Sequence, residues 1–384
     1  MERTMPMPTP SRLKITDVRV VPLKATRDVG EIEPAWSPGR MMQVQVGGGS
    51  FVEVQTDQGL VGIGPAMDPQ FLPAVKSYLV GKDPFDVEHH AEALRYFVLG
   101  IPYRGVAGVD IALWDLIGKA TGQPLHKLFG GGRDRVIPYA SMIALSTPEE
   151  RAELATRLMN EGWKAIKLRL HHESFKEDIR TVEAVRKAVG DRMTIMVDGN
   201  QAQSSGEWQP GVRWDYRRAV ETARALEGLG CYWLEEPLPR YAYKQIAELC
   251  SNVDIMIAGG ENNRGIHEFV QMVETGAYDL LQPESMVLDG ITTLKKVGTL
   301  AEAYGKKIVP HHGGGNLGVV AHLHLVASWD HAPYMELLHD PPIGDYRHRF
   351  SIMANPPKVD RDGYMAVPQL PGLGVEINRD LIAR

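Results

Sequence analysis

The sequence predicts an α/β protein: a barrel of parallel βα units standing behind a smaller α+β domain. Two textures and one positional pattern carry that expectation. Before about residue 135, strand-like pieces come first and helical periodicity follows, the order of an α+β domain. From about residue 138 onward, amphipathic helical stretches lead repeatedly into short apolar strands. That repetition implies parallel βα units, and so many in series favour closure into a barrel. Polar residues then fall at the C-terminal end of one expected strand after another, where a βα-barrel builds its active site.

Residues 1–12, "MERTMPMPTPSR", carry charge and proline but no apolar run, so a flexible tail is expected rather than a signal peptide. Residues 13–135 form the first domain. Strands are expected in "LKITDVRVVPLKA" and "FVEVQTDQGLVGIGPA", with the turn "VGGGS" between them. Helices are expected in "VEHHAEALRYFV" and "GVAGVDIALWDLIGKATG". Residues 136–340 form the barrel, in which "PEERAELATRLMNEG" leads into "KAIKLRL", "EDIRTVEAVRKAVG" into "MTIMVDGN", and "RRAVETARALEGLG" into "CYWLEEP". The pattern continues through "DIMIAGGEN", "YDLLQPES", "KIVPHHGG" and "APYMELL". After Pro341 the regularity lapses, and residues 341–384 are expected to pack back on the first domain.

Composition excludes several classes of function. Of 384 residues, 43% are hydrophobic and 23% charged, the profile of a soluble globular chain. A net charge of −6 with no basic run gives no electrostatic reason to expect nucleic acid. Cys231 and Cys250 are too few for a disulfide framework, which fits the cytoplasm. No apolar run reaches the roughly 18 to 20 residues that span a bilayer, so no membrane association is expected.

The strand ends place Lys167, Arg169, Asp198, Asn200, Glu235, Glu261, Glu284, His311 and Glu336 around one mouth. A lone carboxylate at such a position is ordinarily a helix cap. Successive strand ends carrying ionisable groups are poorly explained that way. Asp198, Glu235 and Glu261 would repel one another unless a cation held them, and oxygen-only donors favour a hard divalent ion, Mg²⁺ before Mn²⁺. Glu284 accepting from the His311 imidazole would fix its tautomer and raise its basicity, making His311 a candidate general base. His312 is expected to point the other way, as a structural residue or a substrate contact, and His171 and His172 to lie in a surface loop. Lys167 and Arg169 are two apart and share a strand face. Arg169 stays cationic near neutral pH and acts as a fixed charge; Lys167 binds an anion or lends a proton.

The ordered set "KLR", "VDGN", "WLEEP", "AGGEN", "QPE", "VPHH" and "YMELL", after the junction "GVDIALWDLIGKATGQPLHKLFGG", resembles the enolase superfamily, in its mandelate racemase-like subgroup of sugar-acid enzymes. The resemblance spans nearly the whole chain. It implies an α+β capping domain over a modified TIM barrel, (β/α)₇β, and a homo-oligomer. It also implies a first step in which Mg²⁺ binds a substrate carboxylate while a base removes the α-proton to give an enediolate, which requires a metal and fixed cations to stabilise the developing charge. By position, Asp198, Glu235 and Glu261 match the metal ligands, His311 with Glu284 the His-carboxylate dyad, and Lys167 the first residue of a K-x-K pair. Asn200 matches the polar partner after the first ligand, and Glu336 the acid that hydrogen-bonds the substrate carboxylate.

Two departures matter. Arg169 stands where racemases carry the second Lys of that pair, and Glu284 where Asp is usual. Racemisation needs a base on each face of the α-carbon; β-elimination needs only one. The reaction expected is therefore dehydration of a small-molecule carboxylate, a polyhydroxylated aldonic or aldaric acid, to a 2-keto-3-deoxy acid. Epimerisation or cycloisomerisation of a sugar acid or lactone is the alternative, and a non-catalytic sugar-acid binder the more distant one. Substrate choice is expected in the first-domain loops, with Trp36 and Arg40 as contacts and Arg104 and Arg264 as weaker candidates.

Overall fold

A computed structural model of the chain describes residues 13–97, 105–170, 172–204, 208–209 and 211–383. Residues 1–12, Arg104 and His171, for which expectations were stated above, lie outside the described residues.

The first domain is strand-rich and then helical, as its texture implies. Strands β1 (Ile15–Pro22), β4 (Ser50–Thr56) and β5 (Val61–Pro65) form an antiparallel sheet, and β2 (Ala25–Ile32) pairs with β3 (Met42–Gly47) in a separate hairpin. Helices α1 (Leu72–Leu79), α2 (Val87–Phe97) and α3 (Ala107–Thr121) follow. Helix α3 lies directly on β5 because three positions lack a side chain. A Cβ at Gly62 would stand 2.1 Å from the Ala112 carbonyl oxygen, one at Gly64 2.0 Å from that of Gly108, and one at Gly108 2.0 Å from that of Pro65. Only glycine permits backbones this close.

The second unit is a single eight-stranded parallel sheet. Its strands are β6 (Pro138–Ser141), β7 (Ala165–Arg169), β8 (Thr194–Asp198), β9 (Trp233–Glu235), β10 (Met256–Gly259), β11 (Leu280–Leu281), β12 (Lys307–Ile308) and β13 (Met335–Leu338). Each from β6 to β12 pairs with the next, and β13 returns to pair in parallel with β6. Between β12 and β13 the Ile308 N–H donates to the His331 carbonyl at 3.2 Å. Helices of 10 to 15 residues alternate with most of the strands, from Pro148–Asn160 to Leu317–Ser328. Parallel neighbours cannot be joined by a tight turn, so the helical crossovers cover the outer face and the strands become buried on both sides. This is a modified TIM barrel with a capping domain.

Strand alternation explains how the barrel interior changes character along its axis. Tyr139, Ala165, Met196, Trp233, Ala258, Leu280 and Val309 form one buried apolar cluster, with about one residue from each strand and large beside small. Two residues further along the same strands stand Ser141, Lys167, Asp198, Glu235, Gln282 and His311. A period of two therefore carries each strand from an apolar floor to a polar layer at or just beneath the mouth.

The cap is tied over that mouth. Trp114 of α3 donates its indole N–H to Thr292 Oγ1 at 2.8 Å, and Asp110 accepts from the Thr292 N–H at 3.0 Å. In the β2–β3 loop the Ala35 N–H donates to the Ile143 carbonyl at 2.9 Å, which holds Trp36 beside the barrel strands. Contacts also run between C-terminal residues and the first domain. Leu373 N–H donates to Asp115 Oδ1 at 2.7 Å, Arg379 pairs with Glu53 at 3.0 Å, and Leu23 bridges to Ile382.

Candidate active site

Asp198, Glu235 and Glu261 end or follow three consecutive strands, and each offers a carboxylate oxygen within 4.8 Å of the others. All three are buried. Burial first, and then the charge of Asp198, push the Glu235 carboxyl up to about 8. Crowding of like charges is the condition a divalent cation relieves. The donors are all oxygen, buried and convergent, so they fit Mg²⁺, and these three residues would hold it.

Lys167 does not line the mouth as the strand pattern led one to expect. Its Nζ is completely buried and caged by three carboxylates: Glu235 at 2.7 Å, Glu336 at 2.9 Å and Asp198 at 3.4 Å. Burial works against its charge, yet Glu235 and Glu336 outweigh it and hold the ammonium protonated far above its ordinary range. Its ammonium is the shared counter-charge of those three carboxylates.

Arg169, one turn of the strand pleat nearer the opening, reaches the cavity. It pairs with Asp198 and donates to the Met142 carbonyl at 2.8 Å, Asn200 Oδ1 at 3.2 Å and Ser141 Oγ at 3.2 Å. The Trp36 ring stands 5.1 Å from its guanidinium carbon. So held, it has one geometry and a permanent charge. Asn200, at a left-handed φ of 47°, donates its own N–H to Asp198 Oδ1 at 2.7 Å and so braces the same carboxylate.

His311 forms the dyad with Glu284. Its Nδ1 lies 2.8 Å from Glu284 Oε2, and its Nε2 lies 3.2 Å from Glu261 and 3.9 Å from Glu336. Glu284 also accepts the N–H groups of Met286 at 3.0 Å and Gly313 at 2.9 Å. Burial raises its carboxyl, but the bond from His311 and the neighbouring charges win and draw it down to about 2. Burial likewise disfavours a charged His311, while Glu261, Glu336 and Glu284 together lift it to about 10.

Trp36, Arg169, Asn200, Glu261 and His311 line one cavity of about 190 Å³. Gln203, Asn262, His312 and Leu338 also line it and were not given roles from the sequence, apart from the alternative kept for His312. That histidine does not point away: its ring centroid lies 4.2 Å from that of His311. The strand pairing lapses after His311, and period two no longer applies. Arg40 is exposed and absent from the cavity lining, as is Arg264. His172 sits in a loop, its N–H on Asp178. Among the residues that position the carboxylates, Gln282 and Trp233 both donate to Glu235 Oε2, at 2.7 and 3.1 Å. Their place two residues from Glu284 and Glu235 on the inward face was the signal that would have found them.

Comparison with known proteins agrees with this geometry. Residues 150–381 match the enolase C-terminal domain-like family, and residues 27–130 the N-terminal domain of the mandelate racemase / muconate lactonizing enzyme family. The chain is 29% identical over 342 residues to an arabinonate dehydratase of Saccharolobus solfataricus, covering 85% of this chain and 87% of that one. It is 34% identical over 284 residues to a 3,6-anhydro-alpha-L-galactonate cycloisomerase of Streptomyces coelicolor, covering 73% and 71%. The crystal structure of an L-talarate dehydratase from Polaromonas sp., complexed with Mg and L-glucarate, superposes with a TM-score of 0.77 at 27% identity, over 96% of each chain. Two matching domain families, spaced along one chain around a carboxylate triad and a His-Glu dyad, have a single reading: the chain belongs to the enolase superfamily, in its mandelate racemase-like branch.

Proposed function

We propose that the protein is a Mg²⁺-dependent sugar-acid dehydratase that removes water across C2 and C3 of an aldonic or aldaric acid. The observation that carries the proposal is that His311, paired with Glu284, shares a cavity with Arg169, a fixed guanidinium standing where racemases carry a lysine. The relatives named as dehydratases support the same reaction class.

An α-proton beside a carboxylate is very weakly acidic, so the dianion that forms must be stabilised as it forms. Asp198, Glu235 and Glu261 would hold a divalent cation, which when bound would supply Lewis-acid stabilisation of the substrate carboxylate and offset the Glu261 charge that lifts His311. Arg169, locked by four partners, adds a fixed positive charge that needs no reorganisation. His311 takes the C2 proton on Nε2, because Nδ1 is committed to Glu284. Glu336, buried beside Lys167 at 2.9 Å and 3.9 Å from His311 Nε2, holds Lys167 in place beneath the carboxylates. Homo-oligomeric assembly accompanies this proposal as the resemblance implies it. Among the described residues no helix is long and apolar enough to cross a membrane.

The 34% identical cycloisomerase favours a second reading, in which the β-oxygen expelled belongs to an anhydro ring. Both begin with the same proton abstraction. Incubation with Mg²⁺ and a panel of arabinonate, galactonate, galactarate and 3,6-anhydrogalactonate, followed by mass spectrometry and keto-acid detection, separates them. Dehydration forms a keto acid lighter by one water; ring opening conserves mass. Turnover that proceeds unchanged in the presence of a chelator would sink both.

A further inference from the structure

Among the described residues that line the cavity, those with a carboxylate or imidazole side chain are Glu261, His311 and His312. Glu261 belongs to the cation set and His311 is the base. His312 is left over. Its ring lies beside that of His311, with centroids 4.2 Å apart at 54°, and its Nδ1 is buried without a hydrogen-bond partner among the described residues. Buried polar atoms are nearly always paired, so a cavity-lining imidazole that no group of the described residues engages at Nδ1 has hydrogen-bonding capacity the fold leaves unused. The backbone accounts for its placement. His312 has φ −60° and ψ 4°, and Gly313 follows at φ 64°, so the chain turns back and both imidazoles face one space.

We propose, building on the dehydratase reading, that His312 is a catalytic residue that donates a hydrogen bond to the departing C3 hydroxyl oxygen while His311 delivers to it the proton taken from C2. The C2–H electron pair becomes the C1–C2 π bond of the enediolate, with the proton on His311. That pair then forms C2=C3 as the C3–O bond breaks. The oxygen keeps both electrons of its bond, accepts the proton from His311 and leaves as water. The resulting enol ketonises by losing its hydroxyl proton to solvent and gaining one at C3. His312 holds the oxygen through this transfer and begins and ends neutral. Burial, and next the adjacent His311, hold its pKa well below the ordinary imidazole range, in keeping with a neutral donor.

The test separates the two halves of the reaction. Wild type, His312→Leu and His312→Gln are run in heavy water with Mg²⁺ and whichever of arabinonate, galactonate or galactarate the wild type turns over. In His312→Leu, keto-acid formation should fall by about 10²- to 10³-fold, the loss typical of one aimed donor. Deuterium should meanwhile accumulate at C2 of recovered substrate, because proton abstraction persists. His312→Gln, which keeps a donor, should recover part of the elimination. A 3-deoxy-3-fluoro analogue, whose fluoride leaves without a proton, should return His312→Leu to within about tenfold of wild type. Exchange and elimination falling together would make His312 merely structural, and unchanged elimination would remove it from the reaction; either overturns the inference alone. A wild type that forms no keto acid from any of the three would overturn the dehydratase reading instead.

Discussion

Glu284 Oε2 lies 2.8 Å from His311 Nδ1 and at the same time accepts the Gly313 N–H at 2.9 Å, so one carboxylate orients the imidazole and the loop that follows it. The glutamate is one methylene longer than the usual aspartate, but the extra reach is absorbed. The side chain folds back onto the Met286 N–H at 3.0 Å and still meets the ring. Replacing Glu284 with Gln keeps the shape and removes the charge that makes Nε2 basic. It should lower kcat by about 10- to 100-fold with little change in KM. His311→Asn should abolish keto-acid formation while Mg²⁺ affinity, read by calorimetry, stays near wild type. A His311→Asn variant that still forms product would show the base to be elsewhere.

Much of this site was legible because strand periodicity is a rigid rule. Asp198, Glu235, Glu284 and His311 stand at or just beyond strand ends on inward positions, and a barrel turns those positions toward one axis. The rule tells which way a side chain faces but not how deep it lies. Lys167, two residues short of Arg169, shares its inward face by that rule and lies under the carboxylates. Nor does it survive the end of a strand. His312 follows the last strand-like pairing, His311 N–H to the Pro283 carbonyl at 3.1 Å, and the turn at Gly313 reverses its direction. Loops carry no period at all, so Trp36 at the cavity and Arg40 in solvent could not be told apart.

The caging of Lys167 has an energetic consequence. Lys167→Met leaves Glu235, Glu336 and Asp198 buried together without their shared counter-charge. Breaking one partner out of such a network costs roughly 3 to 5 kcal/mol. The melting temperature should fall by several degrees in a chelator. Added Mg²⁺ should then raise it more than it raises that of wild type, because the cation relieves the same repulsion. Equal Mg²⁺-induced shifts in the two proteins would mean that Lys167 and the cation do not share those carboxylates.

Arg169 is what separates elimination from racemisation in the sequence argument, and Arg169→Lys tests it directly. The lysine loses the guanidinium contacts to Ser141, Asn200 and the Met142 carbonyl, so dehydration should fall by at least about tenfold. It also acquires a side chain able to exchange a proton. Deuterium uptake at C2 of recovered substrate should therefore rise above wild type, with some inversion. Wild type that already exchanges and inverts at C2 would show that a fixed cation there does not exclude racemisation.

Acid sensitivity should arise far from the catalytic groups, at His324. Its Nδ1 accepts the His126 N–H at 3.1 Å and its Nε2–H donates to the Leu373 carbonyl at 3.0 Å, in full burial. The neutral ring satisfies both partners. A proton added to Nδ1 would meet another N–H head-on. Burial first, with the nearby His126 adding to it, lowers the imidazole from 6.5 to about 4 against the opposing bond to Leu373. The unfolded chain thus binds a proton that the folded chain refuses between those two values. Stability from this group is complete above pH 6.5 and declines as pH falls toward 4, by roughly 3 kcal/mol in all. His324→Gln keeps a donor for Leu373 and cannot titrate. Urea unfolding across this window should show a shallower acid decline in the variant, by the slope of one proton. Parallel curves for the two proteins would mean that His324 titrates alike in the folded and unfolded chains.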